Sequence, residues 1–291
     1  MAATVREKGY SHWDGQLAER RFPWWPITRT GIQLAFRKKR FKLAFAGAFI
    51  PSFVFLVGLY ISERLEDFKS FLQGSDRLLN ISPKYFATYF TNDSLLFMIV
   101  LVLTFGAGGI IADDLRHSSL QLYFARPLGK KDYLLGKMSV IAFFTLLYTA
   151  VPGIVLILFK LIFAGSFKFF LQYPWLPLSV LADSALLTVF FGFYVLLLSS
   201  VSKNSRYVII LMFGVYIFSS VLYGILNSIF RTPYTALVSV PANLQQAGAF
   251  LFGQKLPYAV PAVWSFVVLA AICVLAAIVL NRKIRSVEVI K

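Results

Sequence analysis

Residues 113–137, DDLRHSSLQLYFARPLGKKDYLLGK, separate two apolar runs that are each long enough to cross a membrane. The segment is basic, mixes apolar with charged side chains and has a helix-forming composition. Loops in compact proteins usually have only a few residues, and long ones are commonly functional. We therefore expect membrane spans on both sides of a loop that contacts a partner at the membrane surface.

The composition of the whole chain is that of a helical membrane protein. Of the 291 residues 58% are hydrophobic and 14% are charged, with a mean hydropathy of +0.71, whereas about 25% of the residues in soluble domains are charged. A span needs about 20 apolar residues to cross about 30 Å of hydrocarbon. We predict an all-α integral membrane protein with six transmembrane helices, over Leu43–Ile61, Leu95–Ala112, Met138–Phe159, Leu178–Val201, Tyr207–Leu226 and Tyr258–Leu280.

The distribution of Lys and Arg predicts the orientation of the chain. Counted by loop, 21 of these residues fall on one side of the six spans and 8 on the other. The positive-inside rule places the richer side, with both termini, in the cytoplasm of an inner or plasma membrane. The first 42 residues carry ten Lys and Arg and no early apolar run, so we expect a retained N-terminus. Topology and anionic lipid headgroups account for the formal charge of +16, and nothing indicates nucleic-acid binding.

Polar ends flank a single membrane domain. In the cytosolic segment 1–42, Ile32 and Phe36 recur at helical spacing beside a basic cluster, which predicts an N-terminal amphipathic interfacial helix. A stop-transfer charge cluster with no further role is the open alternative. Residues 43–280 form the six-helix transmembrane domain, and residues 281–291 form a cytosolic tail.

Two segments assigned to the outside are unusual. Residues 62–94 carry charges of both signs, and a short helix is predicted over 63–73. Residues 227–257 are interrupted by Pro233 and Pro241, so they are too broken to span the bilayer and too apolar for a free loop. We expect an external re-entrant or interfacial segment that caps the outer end.

Motifs for catalysis or metal binding are missing from the sequence. His12 and His117 stand apart from each other and from Cys273, so no metal-site spacing occurs. The patch Gly106-Ala107-Gly108-Gly109 lacks the Lys-Ser or Lys-Thr ending of a phosphate-binding loop. We predict no catalytic residue, no metal and no cofactor on this chain, and no ATP hydrolysis by it alone.

Asp183 is the only acidic residue inside a predicted span. Carboxylates in membranes are commonly functional, which makes ion coupling one hypothesis. The position of Asp183 near the outer end of its span would also allow solvation, and we favour an interfacial structural role. The spans otherwise offer aromatic and hydroxyl side chains, which suit an apolar or amphiphilic substrate or a gated pore.

The central loop carries a recognisable order of motifs. An acidic pair in residues 111–114 ends a span, and small polar residues with Leu follow at 118–120. An Arg-Pro turn lies at 125–128, followed by Lys130 and Tyr133, and Gly-Lys at 136–137 opens the next span. Pro233-Tyr234, Pro241 and Leu251-Phe252-Gly253 mark the segment before the last span. Both patterns resemble the permease subunits of ABC-2 type transporters. The sequence departs from that family in its Asp113-Asp114 pair, where Glu is usual, and in a longer first external loop.

This resemblance implies an ABC-2, or type V exporter-like, fold with a cytosolic coupling helix in the loop 113–137. It implies two permease chains, as a homodimer or heterodimer, bound to two separate ATPase subunits that hold ATP and Mg. A rigid helix that continues from a span could transmit their motion. The residues implied in ATPase coupling are Asp113, Asp114, Arg116, Ser118, Leu120, Leu122, Tyr123, Phe124, Arg126, Pro127, Lys130, Lys131 and Lys137. Simple snorkelling of these side chains at the membrane surface is the alternative.

The resemblance also implies a pathway at the dimer interface, along spans one, two and five. Candidates are Gly106, Gly108 and Gly109 for close approach or bending, and Phe213, Tyr216 and Phe218 for an apolar valve. Packing or lipid contact is the commoner role of aromatic residues in a span. The expected function is that of a permease subunit of an ATP-driven exporter. The alternative is a non-transporting membrane anchor or sensor that recruits a soluble partner.

Overall fold

The structure is a computed structural model that describes residues 22–63, 82–119, 129–164 and 167–288. In these ranges the chain is helical and contains no strand. Among the described residues, six helical stretches are long and apolar enough to cross a membrane, which confirms the prediction of an all-α, multi-pass membrane protein. We number them spans 1 to 6: Lys39–Ser62, Asp93–Arg116, Lys130–Phe163, Leu176–Val201, Ser205–Phe230 and Ala262–Lys283.

The individual helices are named in chain order over the described ranges. The helix predicted over 63–73 falls, apart from residue 63, outside the described residues. The helices are α1 (Trp25–Arg37), α2 (Lys39–Gly47), α3 (Ile50–Glu63), α4 (Pro83–Thr91), α5 (Asp93–Ala107), α6 (Ala112–Arg116), α7 (Lys130–Tyr148), α8 (Ala150–Ala164), α9 (Lys168–Gln172), α10 (Leu176–Val201), α11 (Ser205–Phe230), a 3₁₀ helix (Pro233–Val238), α12 (Val240–Leu251) and α13 (Ala262–Glu288).

Spans 2, 3 and 4 form the centre of the molecule. In their most apolar stretches 67%, 61% and 61% of the residues are buried, whereas 22% are buried in each of spans 1, 5 and 6. Span 4 packs against spans 3 and 6, and span 2 packs against spans 1, 3 and 5. The outer faces of spans 1, 5 and 6 are apolar, which suits contact with lipid or with another membrane chain.

Span 3 is broken between α7 and α8, and a proline explains where. Pro152 has no N–H, and its ring disfavours a regular helix around the carbonyl of Tyr148, four residues earlier. The hydroxyl of Tyr89 in α4 donates to that carbonyl at 2.8 Å and lies 2.8 Å from Ser52 Oγ of span 1. One buried tyrosine thus satisfies the carbonyl that the proline leaves without a helical donor.

Aromatic side chains join span 1 to span 3. The ring centroids of Phe41 and Phe144 are 5.0 Å apart, and those of Phe45 and Tyr148 are 5.5 Å apart, both in edge-to-face geometry. Tyr148 Oη also donates to the carbonyl of Phe45 at 2.8 Å. Edge-to-face pairs are worth about 0.5–1.5 kcal/mol beyond the area they bury, so they hold the otherwise exposed span 1 against the centre.

Helix α1 lies in the segment for which an amphipathic helix was predicted, and it packs against the first half of α7. Glycines permit the close crossing: a Cβ on Gly136 would lie 2.8 Å from the Cβ of Ile27, and one on Gly31 would lie 2.6 Å from a methyl of Val140. Thr28 Oγ1 donates to the carbonyl of Gly136 at 3.1 Å. Helix α1 therefore packs into the body of the protein, whereas a bare stop-transfer cluster would not require such contacts.

The segment between spans 5 and 6 folds onto one end of the bundle. Its prolines begin helices instead of interrupting one. Pro233 starts the 3₁₀ helix, and Pro241 is the second residue of α12. Ser239 is the N-cap of α12, and its Oγ accepts from Ala242 N at 3.3 Å. Most residues of α12 are buried among α4, α10, α11 and α13. The apolar character of this segment is thus used in packing within the protein.

Span 6 begins at Ala262, later than the predicted Tyr258. Pro261 keeps the residue before it out of the helix. Gln246 of α12 instead pairs with the incoming chain: its Oε1 accepts from Tyr258 N at 3.1 Å, and its Nε2 donates to Val260 O at 2.6 Å. A side-chain amide therefore replaces the helical hydrogen bonds that this stretch lacks.

Candidate coupling site at the basic end of the bundle

The described residues predicted to couple to an ATPase gather at one end of the bundle, which we call the basic end. It contains the end of span 2, the start of span 3 and the ends of spans 4 and 6. Asp113, Asp114, Arg116, Ser118, Lys130, Lys131 and Lys137 are described. Leu120, Leu122, Tyr123, Phe124, Arg126 and Pro127 lie outside the described residues.

Asp114 joins the two ends of the loop 113–137, where the loop meets spans 2 and 3. Lys137 Nζ of span 3 lies 2.7 Å from Asp114 Oδ2 of span 2, and Tyr133 Oη donates to the same oxygen at 2.7 Å. Lys137 is 8% exposed, Tyr133 is fully buried, and the ammonium lies 5.4 Å from the centroid of the tyrosine ring. We call these three residues the root cluster. Removing one charge from so shielded a pair leaves the other uncompensated, at a cost of about 3–5 kcal/mol.

Ser199 at the end of span 4 holds a break in span 2. Helix α5 ends at Ala107 and α6 begins at Ala112, so the first N–H groups of α6 lack helical acceptors. Ser199 Oγ accepts from Ile111 N at 2.9 Å and from Ala112 N at 3.1 Å, and the serine is fully buried. This hydroxyl therefore ties span 4 to the short helix that carries the acidic pair.

Lys38 reaches the same break from the junction of α1 and α2. Its Nζ lies 3.5 Å from the carbonyl oxygen of Gly106, in the last turn of α5, where the helix dipole favours a cation. Desolvation lowers the pKa of Lys38, and the nearby negative charge of Asp113 offsets part of that effect. The acidic pair thus has a lysine on each side, Lys38 near Asp113 and Lys137 on Asp114.

The loop leaves the basic end with exposed charges. Arg116 and Lys131 are exposed, and Lys130 is half-buried. Ser118 has a φ of 54°, in the left-handed region that costs a residue other than glycine about 1 kcal/mol or more. The chain therefore turns sharply after α6, and Arg116 and Lys131 expose their positive charges at the basic end.

Of the predicted glycines, Gly106 lies where spans 1 and 2 meet, whereas Gly108 and Gly109 lie beside the start of span 5. A Cβ on Gly106 would lie 2.7 Å from Cε2 of Phe41 in α2, so this position requires the absence of a side chain. Gly108 is the C-cap of α5, and Gly109 lies in the turn before α6. The three positions thus combine a close helix contact with the break in span 2.

The three aromatic residues suggested for a valve do not share one face of span 5. Phe213 packs towards span 2, with ring centroids 6.2 Å from those of Phe97 and Phe105. Tyr216 is 5% exposed, whereas Phe218 is 63% exposed. Positions 213 and 218 lie about 140° apart on a helix of 3.6 residues per turn. Phe213 and Phe218 therefore point to different sides of span 5.

Three members of the basic end were not identified from the sequence: Ser199, Lys38 as a contact of span 2, and Lys283. Lys283 of span 6 donates to the carbonyl of Ser200 in the last turn of span 4. The Ser199-Ser200 pair before a short basic loop is visible in the sequence and signals a polar helix end. The helices that these side chains contact are far away along the chain, and no local pattern indicates them.

Asp183 is more deeply enclosed than its position near the end of span 4 predicted. It is 1% exposed, and neither carboxylate oxygen has a hydrogen-bond partner in the described part of the chain. Helix α12 contributes to this enclosure, because a Cβ on Gly248 would lie 3.1 Å from Asp183 Oδ1. The expectation of easy solvation is therefore wrong.

Neither metal chemistry nor sequence similarity supplies a further lead. Within the described ranges, no group of three or more His, Cys, Asp or Glu residues could hold a metal ion. No model of a known protein family matches the chain, and no curated protein matches it. Function has therefore to be inferred from the residues and contacts described above.

Proposed function

We propose that this chain is the permease subunit of an ATP-driven transporter of the ABC-2 type, working as an exporter. The root cluster is the observation that carries the proposal, because Asp114, Lys137 and Tyr133 bind the two ends of the loop 113–137 to each other. Because the two ends of this loop are held together, a partner that moves the loop moves both adjoining spans. A coupling loop needs this property, and a simple surface connector does not.

Three further contacts support transmission into the centre of the bundle. Ser199 fixes span 4 to the break in span 2, Lys283 fixes span 6 to span 4, and Lys38 reaches span 2 from the α1–α2 junction. Rigid elements joined by hydrogen bonds and packing can carry motion between distant sites. In this proposal a push on the loop 113–137 reaches spans 2, 3, 4 and 6 together.

The energy source in this proposal is a pair of separate ATPase subunits. The sequence has no phosphate-binding loop, so ATP and Mg are assigned to the partner. Exposed Arg116 and Lys131 give the basic end a positive surface, and the apolar and basic side chains of residues 120–128 would complete the docking surface. The positive-inside rule then puts the basic end and both termini in the cytoplasm, below an inner or plasma membrane.

The proposed transport pathway lies between two permease chains. Spans 1 and 5 both pack on span 2 and leave most of their surface unburied within one chain. A second chain, identical or different, would cover these faces. The exposed Phe218 would then face the partner chain, while Phe213 packs within its own subunit.

The test is whether the loop stimulates a nucleotide-hydrolysing partner. The tagged chain is purified from its native membrane, and the ATPase that copurifies is reconstituted with it in lipid. Replacing residues 118–127 by a Gly-Ser linker of equal length is expected to abolish stimulation of ATP hydrolysis without loss of membrane insertion. Lys203→Gln is the control, because Lys203 is an exposed basic residue in the loop after span 4.

Three results would contradict the proposal. The first is equal ATP hydrolysis with the native loop and with the linker. The second is labelling from outside the cell of a cysteine placed at Arg116 or Lys130, in a chain whose Cys273 is replaced by Ser. The third is a copurified partner that hydrolyses no nucleotide, which would favour a membrane anchor or sensor.

A further inference from the structure

Two apolar cavities follow the contact between spans 4 and 6. The larger has a volume of about 600 Å³ and is bordered at one end by Leu251 of α12. The smaller has a volume of about 390 Å³ and extends to the start of span 3, where Lys131 and Leu135 line it. Their linings continue along the same two helices. We call the two cavities together the 4–6 groove.

One wall of the 4–6 groove is a stripe along span 4. It runs through Ala182, Leu186, Val189, Phe193 and Leu196. Steps of three or four residues place these side chains on one face of a helix. At 1.5 Å per residue the stripe is about 21 Å long, which exceeds the roughly 15 Å depth of one leaflet of a 30 Å hydrocarbon core.

The other wall is an equivalent stripe along span 6. It runs through Phe266, Leu269, Cys273, Ala277 and Leu280. Cys273 is the single cysteine of the chain. It lies about 10 Å along the helix from Leu280, the last lining residue of span 6 at the basic end. A reagent that reacts with thiols therefore reports on the middle of the groove.

We propose that the 4–6 groove binds an acyl chain of an anionic phospholipid, with the lipid headgroup against Lys131. Among the described residues, Lys131 is the one charged residue that lines either cavity, and it is exposed at the basic end. An ammonium at that depth attracts an anionic headgroup more strongly than a zwitterionic one. The apolar walls above it match a hydrocarbon chain and offer no partner to a polar ligand.

The groove is too small to enclose a helix. A helix about 10 Å wide and 21 Å long would fill about 1,600 Å³. This is well above the volumes of the two cavities, about 600 and 390 Å³. A single extended hydrocarbon chain is much thinner and follows a narrow path between two helices. The lipid would contact spans 3, 4 and 6, and binding to the folded state alone would stabilise that state.

Alkylation of Cys273 tests the proposal without any partner ATPase. The purified chain in detergent is treated with N-ethylmaleimide in the presence of phosphatidylglycerol or of phosphatidylcholine with the same acyl chains. Phosphatidylglycerol is expected to slow the reaction strongly and phosphatidylcholine weakly. Lys131→Gln should weaken the apparent affinity for phosphatidylglycerol about fivefold, equivalent to about 1 kcal/mol for one surface lysine. Lys203→Gln, at an exposed lysine that does not line the groove, should have no effect.

Filling the groove gives a second, independent readout. Native mass spectrometry is expected to find phosphatidylglycerol retained by the wild-type chain and by Leu275→Trp, since Leu275 is 57% exposed and does not line the groove. Ala277→Trp should lose the lipid because the indole occupies its path. If Ala277→Trp does not fold, the comparison of Lys131→Gln with Lys203→Gln still tests whether the lipid headgroup contacts Lys131.

Three results would overturn the proposal. Equal protection of Cys273 by both phospholipids would indicate ordinary solvation by the membrane. Full affinity for phosphatidylglycerol in Lys131→Gln would remove the headgroup contact. Protection that rises with protein concentration in the absence of lipid would place a second copy of the chain at the groove.

Discussion

The half-buried Asp114 and the buried Asp183 have different surroundings. Asp114 has Lys137 Nζ and Tyr133 Oη within 2.7 Å, whereas Asp183 is enclosed without a hydrogen-bond partner among the residues that the structure describes. A shielded ion pair depends on both of its members, while an isolated buried carboxylate is itself unfavourable. The same change from Asp to Asn should therefore affect stability differently at the two positions.

Asp114→Asn is expected to lower the free energy of unfolding by about 3 kcal/mol, because the shielded Lys137 loses its counter-charge. The estimate is at the low end of the range since the two side chains retain 14% and 10% exposure. Thermal unfolding in detergent, followed by tryptophan fluorescence, measures the change. Arg116→Gln, at an exposed position of the same helix, should change stability by less than about 0.5 kcal/mol. Equal effects of the two substitutions would contradict the role of the root cluster.

Asp183→Asn is expected to leave the unfolding temperature at least as high as that of the wild-type chain. The amide has nearly the shape of the carboxyl group and cannot ionise, and neither oxygen of Asp183 has a partner among the described residues that the change would leave unpaired. The measurement is the same thermal scan, run beside Asp114→Asn. A loss of stability as large as that of Asp114→Asn would show that the fold depends on the Asp183 carboxylate.

At the scale of helices, prolines explain the break in one span and the start of another. Pro152 explains the break in span 3, and Pro261 explains why span 6 starts later than its apolar run. In both places a side chain from another element supplies hydrogen bonds to the interrupted backbone, Tyr89 in the first and Gln246 in the second.

Tyr89→Phe is expected to lower the free energy of unfolding by about 1–3 kcal/mol, because the carbonyl of Tyr148 loses its donor. Pro152→Ala supplies a backbone N–H that can reach that carbonyl, so Tyr89→Phe should cost less in this background. A double-mutant cycle of thermal unfolding measures the difference. Simple additivity of the two changes would show that Tyr89 does not replace the missing helical bond.

The positions of the spans could be predicted because long apolar runs are a property of the local sequence. The root cluster was partly predictable for the same reason, since Asp114 and Lys137 flank one loop. The contact of Ser199 with Ile111 could not be predicted, because it joins two spans and one buried hydroxyl looks like many others. The crossing of α1 over Gly136 likewise depends on which helices meet in space.

At the scale of the whole molecule, burial is uneven around the bundle. Spans 1, 5 and 6 are equally exposed within one chain, but the structure gives their surfaces different neighbours. Spans 1 and 5 pack on span 2, which carries the acidic pair, whereas span 6 packs on span 4 beside the 4–6 groove. The proposed partner chain therefore belongs on the side of spans 1 and 5.

Cross-linking between subunits tests this assignment. In a chain with Cys273→Ser, a cysteine at Phe218 or Val221 on the exposed face of span 5 is expected to form cross-linked dimers in membranes. A cysteine at Val267 or Leu275 on the exposed face of span 6 is expected to give none. Non-reducing electrophoresis separates the two outcomes. Dimers that form through span 6 and not through span 5 would place the interface at span 6 and contradict the assignment.

The amide of Gln246 has a consequence for how the chain is assembled during its synthesis. It bonds to backbone groups of residues that precede span 6, and α12 also packs against span 6 itself. Until span 6 has left the ribosome, the amide of Gln246 and the apolar side chains of α12 lack the partners that they have in the folded protein. A nascent polypeptide halted before Ala262 would therefore expose α12 to chaperones and membrane proteases as an incompletely folded segment.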